Sequence, residues 1–262
     1  MTNTTEGSLV CVGTGIQIGA QLTPVARRCI EEADVVFMSV STHIMEEWVS
    51  SMNSDVRNLQ SYYEKGLPRN KTYKSMVDVV VHEVECGKKV CLALYGHPGM
   101  FAIVAHKAIE KTREIGFKAR MEPGISAEDC LIADLGLDPG TCGIQQFEAT
   151  QFMLYQRLID PSAYLLLWQI GVAGDLTLTS RTPNKKSLSI LLELLFEIYP
   201  ESHQVVLYEA RTTPLTQSRV EYLSLNELSK AQLHDYTTLV IPPCEVMKKN
   251  TDIEKRLKLI FT

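Results

Sequence analysis

Short apolar, β-rich runs alternate with helix-patterned segments through the first half of the chain, and that alternation points to a parallel sheet built from strand–helix–strand units. SLVCVG at 8–13 reads as a strand, and a helix is expected from about Pro24, whose fixed φ suits a first helical turn. DVVFMSV gives a second strand and VRNL a short third. Met76, Val80 and Val84 recur every four residues after Lys71, which predicts a helix that buries one face and ends at Gly87. KKVCLALYG follows, apolar enough for a strand covered on both faces. A further helix over about 101–115 ends at Gly116, and FKARM supplies another strand.

The second half is more mixed. EPGIS at 122–126 breaks regular structure just before a new helical pattern, SAEDCLIADLG, and marks a domain junction. GIQQFEA, YLLLWQI, HQVVLYEA, SRVEYLSL and TTLVIP read as strands flanking a strong helix at 185–199. Leu188, Leu191, Leu192, Leu195 and Phe196 form the apolar stripe of that helix and are assigned to the core. DIEKRLKLIF, near the end, has the pattern of an amphipathic helix packed on the body or on a second subunit. The expected organisation is therefore two α/β domains, 1–123 and 124–262.

Charge and composition exclude several function classes. The net charge of −5 offers no global attraction to nucleic acid or to an anionic membrane. MTNTTEGS carries no signal-peptide pattern, and no apolar run approaches the ~18 residues of a membrane span. A cytoplasmic protein is expected. The seven cysteines are odd in number, scattered and without a C-x-x-C pair, which argues against a disulfide framework and against a metal site; most sit in apolar runs and read as small buried hydrophobes.

GTGIQIG at 13–19 lies between a strand and a helix, where a dinucleotide fingerprint would lie. A nicotinamide site also needs an acidic residue at the end of the second strand. That strand ends in Ser39, Ser41 and Thr42, while Asp34 stands at its beginning. No Lys-Ser/Thr pair makes a phosphate loop either, so the glycines alone indicate a tight turn.

The glycine loop is followed in order by YGHPGMF at 95–101, EPGISAED at 122–129, LLLWQIG at 165–171 and VVLYEARTTP at 205–214. Together these resemble the motifs of the tetrapyrrole methylases over nearly the whole chain. The resemblance implies two α/β domains closing on a cleft that holds S-adenosylmethionine. It carries cofactor contacts onto Tyr95, His97, Met100 and Ile103 in the first domain, and onto Ser126, Ala127, Gln169, Tyr208, Ala210 and Thr212 in the second. Gly96, Pro98 and Gly99 allow main-chain groups to approach a polar ligand closely.

Within that group, His97 in place of the common acidic residue, YYEKGLPR with a Tyr four residues after the Arg, PGISAEDC, FEAT and WQIG look most like the borosin methyltransferases. Those enzymes methylate backbone amides of a ribosomally made peptide. An amide nitrogen is a poor nucleophile because its lone pair is delocalised into the carbonyl. Catalysis needs a donor or cation at the carbonyl oxygen, a base at the N–H and an in-line methyl donor. The resemblance assigns these roles to Tyr63, Arg69 and Tyr73, with Tyr73 as base, Tyr63 as partner of the substrate amide and Arg69 as the cation. A phenol near ~10 needs such a cation to serve as a base. Tyr95 would face both cofactor and substrate, while Tyr62 is given no role and is expected to point into the core.

Fungal borosin enzymes carry their substrate as a C-terminal extension, whereas this sequence stops at Thr262. KKNTDIEKRLKLIFT is too short and charged to provide both clasp and substrate. The resemblance thus implies a split enzyme, a homodimer binding a separate precursor peptide in a 2:2 complex; from charge, hydropathy and the cysteine pattern no nucleic acid, membrane or metal is expected. Two other activities stand beside it. One is carbon methylation of a tetrapyrrole, against which the scarcity of basic residues around Arg69 and Lys71 speaks. The other is a non-catalytic cofactor-binding protein, against which the Tyr63, Arg69, Tyr73 set speaks.

Overall fold

The computed structural model describes residues 6–63, 69–176 and 182–261. They fall into two compact units. One holds the chain up to Gly136 together with Ala210–Arg219; the other holds Leu137–Leu176, the described chain up to Glu209, and the described chain from Val220 onward.

The first unit contains β1 (Ser8–Gly13), α1 (Pro24–Glu31), β2 (Val35–Ser39), α2 (His43–Ser50), β3 (Val56–Asn58), α3 (Arg69–Glu85), β4 (Lys89–Leu94), α4 (Ile103–Glu114), β5 (Lys118–Met121) and α5 (Ala127–Leu135). Its sheet runs β3-β2-β4-β1-β5, with every pairing parallel. Both faces are apolar because both are covered. Leu9, Cys11, Phe37, Leu92 and Leu94 pack under α3 and α4, where Met76, Val80 and Val84 form the expected stripe. Val12, Val36, Met38 and Ala93 pack under α1 and α2, against Ala26, Ile30, Met45 and Val49.

That division of helices sets where a ligand can go. β1 and β4 are neighbours, yet β1 leads to a helix on one face and β4 to a helix on the other. The helices that follow them lie on opposite faces, which makes their C-terminal ends a switch point, the usual ligand position in an open parallel sheet. Local chemistry fixes the elements around it. Thr23 caps α1 by accepting from the Ala26 N–H at 3.1 Å, with Pro24 as first helical residue. Thr42 caps α2, a helix the sequence reading did not anticipate. Ser126 and Asp129 form a reciprocal capping box at the start of α5.

The second unit contains α6 (Pro139–Cys142), β6 (Ile144–Glu148), α7 (Ala149–Leu154), β7 (Tyr164–Trp168), α8 (Lys185–Phe196), β8 (Gln204–Glu209), β9 (Arg219–Ser224, its first residue grouped with the first unit), β10 (Thr238–Ile241) and α9 (Thr251–Lys258). The order is β6-β7-β10-β8-β9, with β6 parallel to β7 and β10 antiparallel to β7 and β8. Leu165, Leu167, Val205, Leu207, Leu239 and Ile241 form one sheet face, packed on Leu188, Leu191, Leu192 and Leu195 of α8. The stripe read from the sequence is thus core, although α8 stops at Phe196. α9 forms where the amphipathic pattern predicts a helix, and none of its residues is buried.

Residues 124–136, assigned from the sequence to the second domain, cluster with the first unit. All seven cysteines are free; Cys11 and Cys91 are buried as expected, four are partly buried, and Cys86 is exposed. Among the described residues, no helix is long and apolar enough to cross a membrane.

Candidate functional site

Three loops of the first unit meet main chain to main chain beyond the C-terminal ends of β1, β4 and β5. Gly15 and Gly96 form a two-way bridge, Gly15 N–H to the Gly96 carbonyl at 3.3 Å and Gly96 N–H to the Gly15 carbonyl at 3.0 Å. A Cβ on Gly13 would lie 2.1 Å from the Gly96 carbonyl oxygen, and one on Gly124 would lie 2.9 Å from that same oxygen. Gly15 and Gly96 also adopt φ of 74° and 69°, which side chains disfavour. Glycine is required here for close approach of backbone to backbone.

This contact decides against a phosphate cradle. The Thr14 N–H donates to Leu94 O at 2.8 Å, Gly15 to Gly96, and Ile18 to Thr212 O at 3.0 Å. Ile16 and Gln17 both donate to Gln21 Oε1, at 2.8 and 2.9 Å. Every N–H from 14 to 18 is therefore spent inside the protein, and none is left in the nest a pyrophosphate needs. Gln21 was not singled out from the sequence, and a lone glutamine gives no signal of such a role.

The loop after β4 carries Tyr95, His97, Met100 and Ile103. The Tyr95 N–H is fixed to Ser39 O at 3.0 Å. His97 Nδ1 accepts from the Gly99 N–H at 2.9 Å, so a neutral ring carries its hydrogen on Nε2. The His97 carbonyl accepts from the Met100 N–H at 3.2 Å, and the His106 ring bonds the Gly99 carbonyl at 3.0 Å. Phe101 follows in the left-handed region at φ 51°, so α4 begins only at Ile103 rather than at 101; Ile103 itself is half exposed. Ser126 is buried, its hydroxyl engaged with Asp129 Oδ2 at 2.6 Å, and Ala127 is the first residue of α5. Thr212 reaches this region through its bond to Ile18, with Ala210 on the same segment.

Gln169 and Tyr208 belong to the other unit. Gln169 stands directly after β7 with φ 60°. Tyr208 is fully buried on β8, on the sheet face opposite the leucine core.

Tyr63 ends the 3-10 turn Leu59–Tyr62, which Asn58 caps by accepting from the Gln60 N–H at 2.8 Å. Its ring meets that of Tyr73 on α3 edge to face, with centroids 6.4 Å apart and planes at 89°. Tyr63 is 40% exposed, whereas Tyr73 is partly buried against the core under α3. Position 69 opens α3 one helical turn before Tyr73, and positions four apart share a helix face. The Arg69 side chain and residues 64–68 of the YYEKGLPR motif lie outside the described residues. Tyr62 packs on the same core, as expected.

A cavity of about 520 Å³ opens beside the glycine loop, lined by Gln17, Gln21, Leu22, Ile125, Cys130 and Arg211 among others. Burial holds the Cys130 thiol above its ordinary range, and the Gln21 side-chain N–H bonded to its sulfur acts in the opposite direction. No cluster of three or more metal-binding side chains occurs among the described residues.

The profile of the Tetrapyrrole (Corrin/Porphyrin) Methylases matches residues 8–228. The chain belongs to the tetrapyrrole methylases. A methyltransferase/ribosomally synthesized cyclic peptide gymnopeptides precursor of Gymnopus fusipes is 36% identical over 258 residues, 97% of this chain and 61% of that protein. A methyltransferase/type III borosin cyclic peptide precursor of Anomoporia bombycina is 35% identical over 241 residues, 90% of this chain and 28% of that protein. The chain thus spans under two thirds of the length of either relative. Among solved structures, uroporphyrin-III-C-methyltransferase from Thermus thermophilus matches with a TM-score of 0.63 at 17% identity, covering 91% of this chain and 93% of that one. That likeness bears on the fold, and the fold is the one expected: two α/β units of tetrapyrrole-methylase type.

Proposed function

We propose that this methylase transfers the methyl group of S-adenosylmethionine to backbone amide nitrogens of a ribosomally made precursor peptide. The observation that carries the reading is the edge-to-face pair of Tyr63 and Tyr73 one turn from Arg69, in a chain whose relatives are fused to cyclic-peptide precursors.

The residues present fit the cofactor. The N–H groups of residues 14 to 18 are all engaged within the protein and leave no phosphate nest, which suits a ligand that carries no pyrophosphate. In the proposal Tyr95, His97, Met100, Ile103, Ser126, Ala127, Ala210 and Thr212 contribute from the first unit, and Gln169 and Tyr208 from the second. The bound cofactor supplies an electrophilic methyl on a sulfonium and leaves as S-adenosylhomocysteine.

The protein must then supply the base and the oxyanion partner. Tyr73 accepts the amide proton as phenolate, Tyr63 orients the N–H, and the Arg69 guanidinium stabilises the negative charge that moves onto the carbonyl oxygen. With the cofactor bound, the nitrogen lone pair released from amide resonance would take the methyl group, and the sulfur would keep the electron pair of its bond to that methyl. An arginine is suited to this because it remains cationic at every working pH.

The reading includes a precursor supplied by a separate chain, and its test presents the substrate that way. The precursor segment of the Gymnopus fusipes relative, added as a free peptide with methyl-labelled cofactor, is expected to take up label. Tyr73→Phe and Arg69→Lys should each lower turnover on the order of 10²-fold or more, as loss of a proton acceptor or oxyanion partner does. Label on an added uroporphyrinogen and none on peptide, or full turnover by both variants, contradicts the reading.

A further inference from the structure

Glu209 is the last residue of β8, and its side chain is 11% exposed. One carboxylate oxygen, Oε1, accepts from Thr237 Oγ1 at 2.5 Å and from His234 Nδ1 at 2.9 Å. A carboxylate oxygen has no hydrogen to give, so Nδ1 carries it. The Thr237 hydroxyl also accepts from the His234 main-chain N–H at 2.7 Å, and the Thr237 N–H returns to the His234 carbonyl at 3.0 Å. The 234–237 turn is thereby closed around a wholly buried threonine, with the carboxylate at its centre.

The same turn grips the loop after β7. The Ile170 N–H donates to the Thr237 carbonyl at 3.0 Å, and the His234 carbonyl oxygen stands 2.1 Å from where a Cβ on Gly171 would be. Gln169, just before them, holds φ 60° and makes no side-chain capping bond. A left-handed backbone at a residue other than glycine persists only where its surroundings over-determine it. The contacts to Thr237 and His234 are such surroundings, and both partners hang from the Glu209 carboxylate.

We infer that Glu209 is a positioning residue for the cofactor site: through the His234–Thr237 turn it sets the backbone of Gln169. The inference rests on the functional reading above, in which Gln169 contacts S-adenosylmethionine. Glu209 touches no reacting atom; it acts by keeping the β7 loop in its strained form before the ligand arrives, which lowers the ordering cost of binding.

Calorimetric titration of the full chain with S-adenosylhomocysteine tests this. Glu209→Ala should raise Kd about tenfold, corresponding to about 1.4 kcal/mol. Glu209→Gln, which keeps an oxygen able to accept from both donors, should stay within about twofold of the unmodified chain, roughly 0.4 kcal/mol. In turnover assays Glu209→Ala should raise KM for the cofactor more than it lowers kcat, a split that a general loss of folded protein does not produce. Equal affinity for Glu209→Ala and the unmodified chain overturns the inference, and so does a Glu209→Gln variant as weak as Glu209→Ala. Should Glu209→Ala not fold, Thr237→Val removes both bonds of the hydroxyl, the one it gives to Glu209 and the one it accepts from the His234 N–H: weaker binding supports the inference and unchanged binding overturns it. If the unmodified chain fails to bind, the functional reading falls and takes this inference with it.

Discussion

Gly13→Ala tests the loop junction directly. The added Cβ would sit 2.1 Å from the Gly96 carbonyl oxygen, 3.0 Å from Pro98 Cδ and 3.2 Å from Gly124 Cα, whereas ordinary Cβ contacts begin at 3.4 Å. The obstacles are main-chain and ring atoms, so no rotamer change relieves them. The β4 loop must move away, which opens the Gly15–Gly96 bridge at 3.0 and 3.3 Å. Overpacking costs about 1–3 kcal/mol and each lost hydrogen bond about 1 kcal/mol net, so a destabilisation of about 3 kcal/mol or more is expected. For a unit of this size that lowers Tm by roughly 6–12 °C. Gly19→Ala is the control: its φ is 74° but nothing lies within 4 Å, so only the backbone term of about 1 kcal/mol applies. Thermal and urea unfolding of both variants, with Gly124→Ala expected between them because its Cβ would approach Gly96 O at 2.9 Å, give the ranking. A Gly13→Ala protein no less stable than Gly19→Ala would refute the reasoning.

The remaining predictions concern cores, charges and thiols. Leu191→Ala, at a fully buried position of α8, should cost about 2–5 kcal/mol in urea unfolding. Lys88 and Arg57, each 2.6 Å from a Glu83 carboxylate oxygen, hold its pKa below the ordinary carboxylate value. Because the folded-state pKa is the lower one, the stabilisation is complete at pH 7 and is lost as pH falls through it. Glu83→Gln should therefore be less stable at pH 7, with the gap closing as pH falls below the ordinary carboxylate range. Cys86 is exposed, whereas burial pushes the Cys11 thiol up to about 12 and raises that of Cys91. Alkylation followed by mass spectrometry should label Cys86 in the native protein, and Cys11 and Cys91 only on unfolding.

Much of the architecture was legible because its causes are local. β1 and β4 are apolar on both faces, Met76, Val80 and Val84 repeat once per turn of α3, and Pro24 marks the start of α1. α2 escaped notice because only Met45 and Val49 are buried, too short a stripe to stand out. The start of α4 was displaced because Phe101 takes a left-handed backbone that no residue type announces. At the site, the motifs singled out the loops beyond β1 and β4 and the segment at 210–214. They did not reveal that Gln21 consumes the N–H groups of the glycine loop, nor that Glu209, His234 and Thr237 converge. The Gln21 contacts are local but depend on a loop conformation that no periodicity marks, and the Glu209 contacts join residues 25 and 28 positions apart that only the folded sheet brings together.

In the proposed reaction a main-chain amide, made reactive between two phenols and a guanidinium, receives the methyl group. Tandem mass spectrometry of the fungal precursor peptide after incubation with this protein and cofactor tests it most directly. Added methyl groups that fragment ions place on backbone nitrogens are expected, and they should be absent from the reaction of Tyr73→Phe. Methylation confined to side chains or termini, or an unmodified peptide in the presence of bound cofactor, would contradict it.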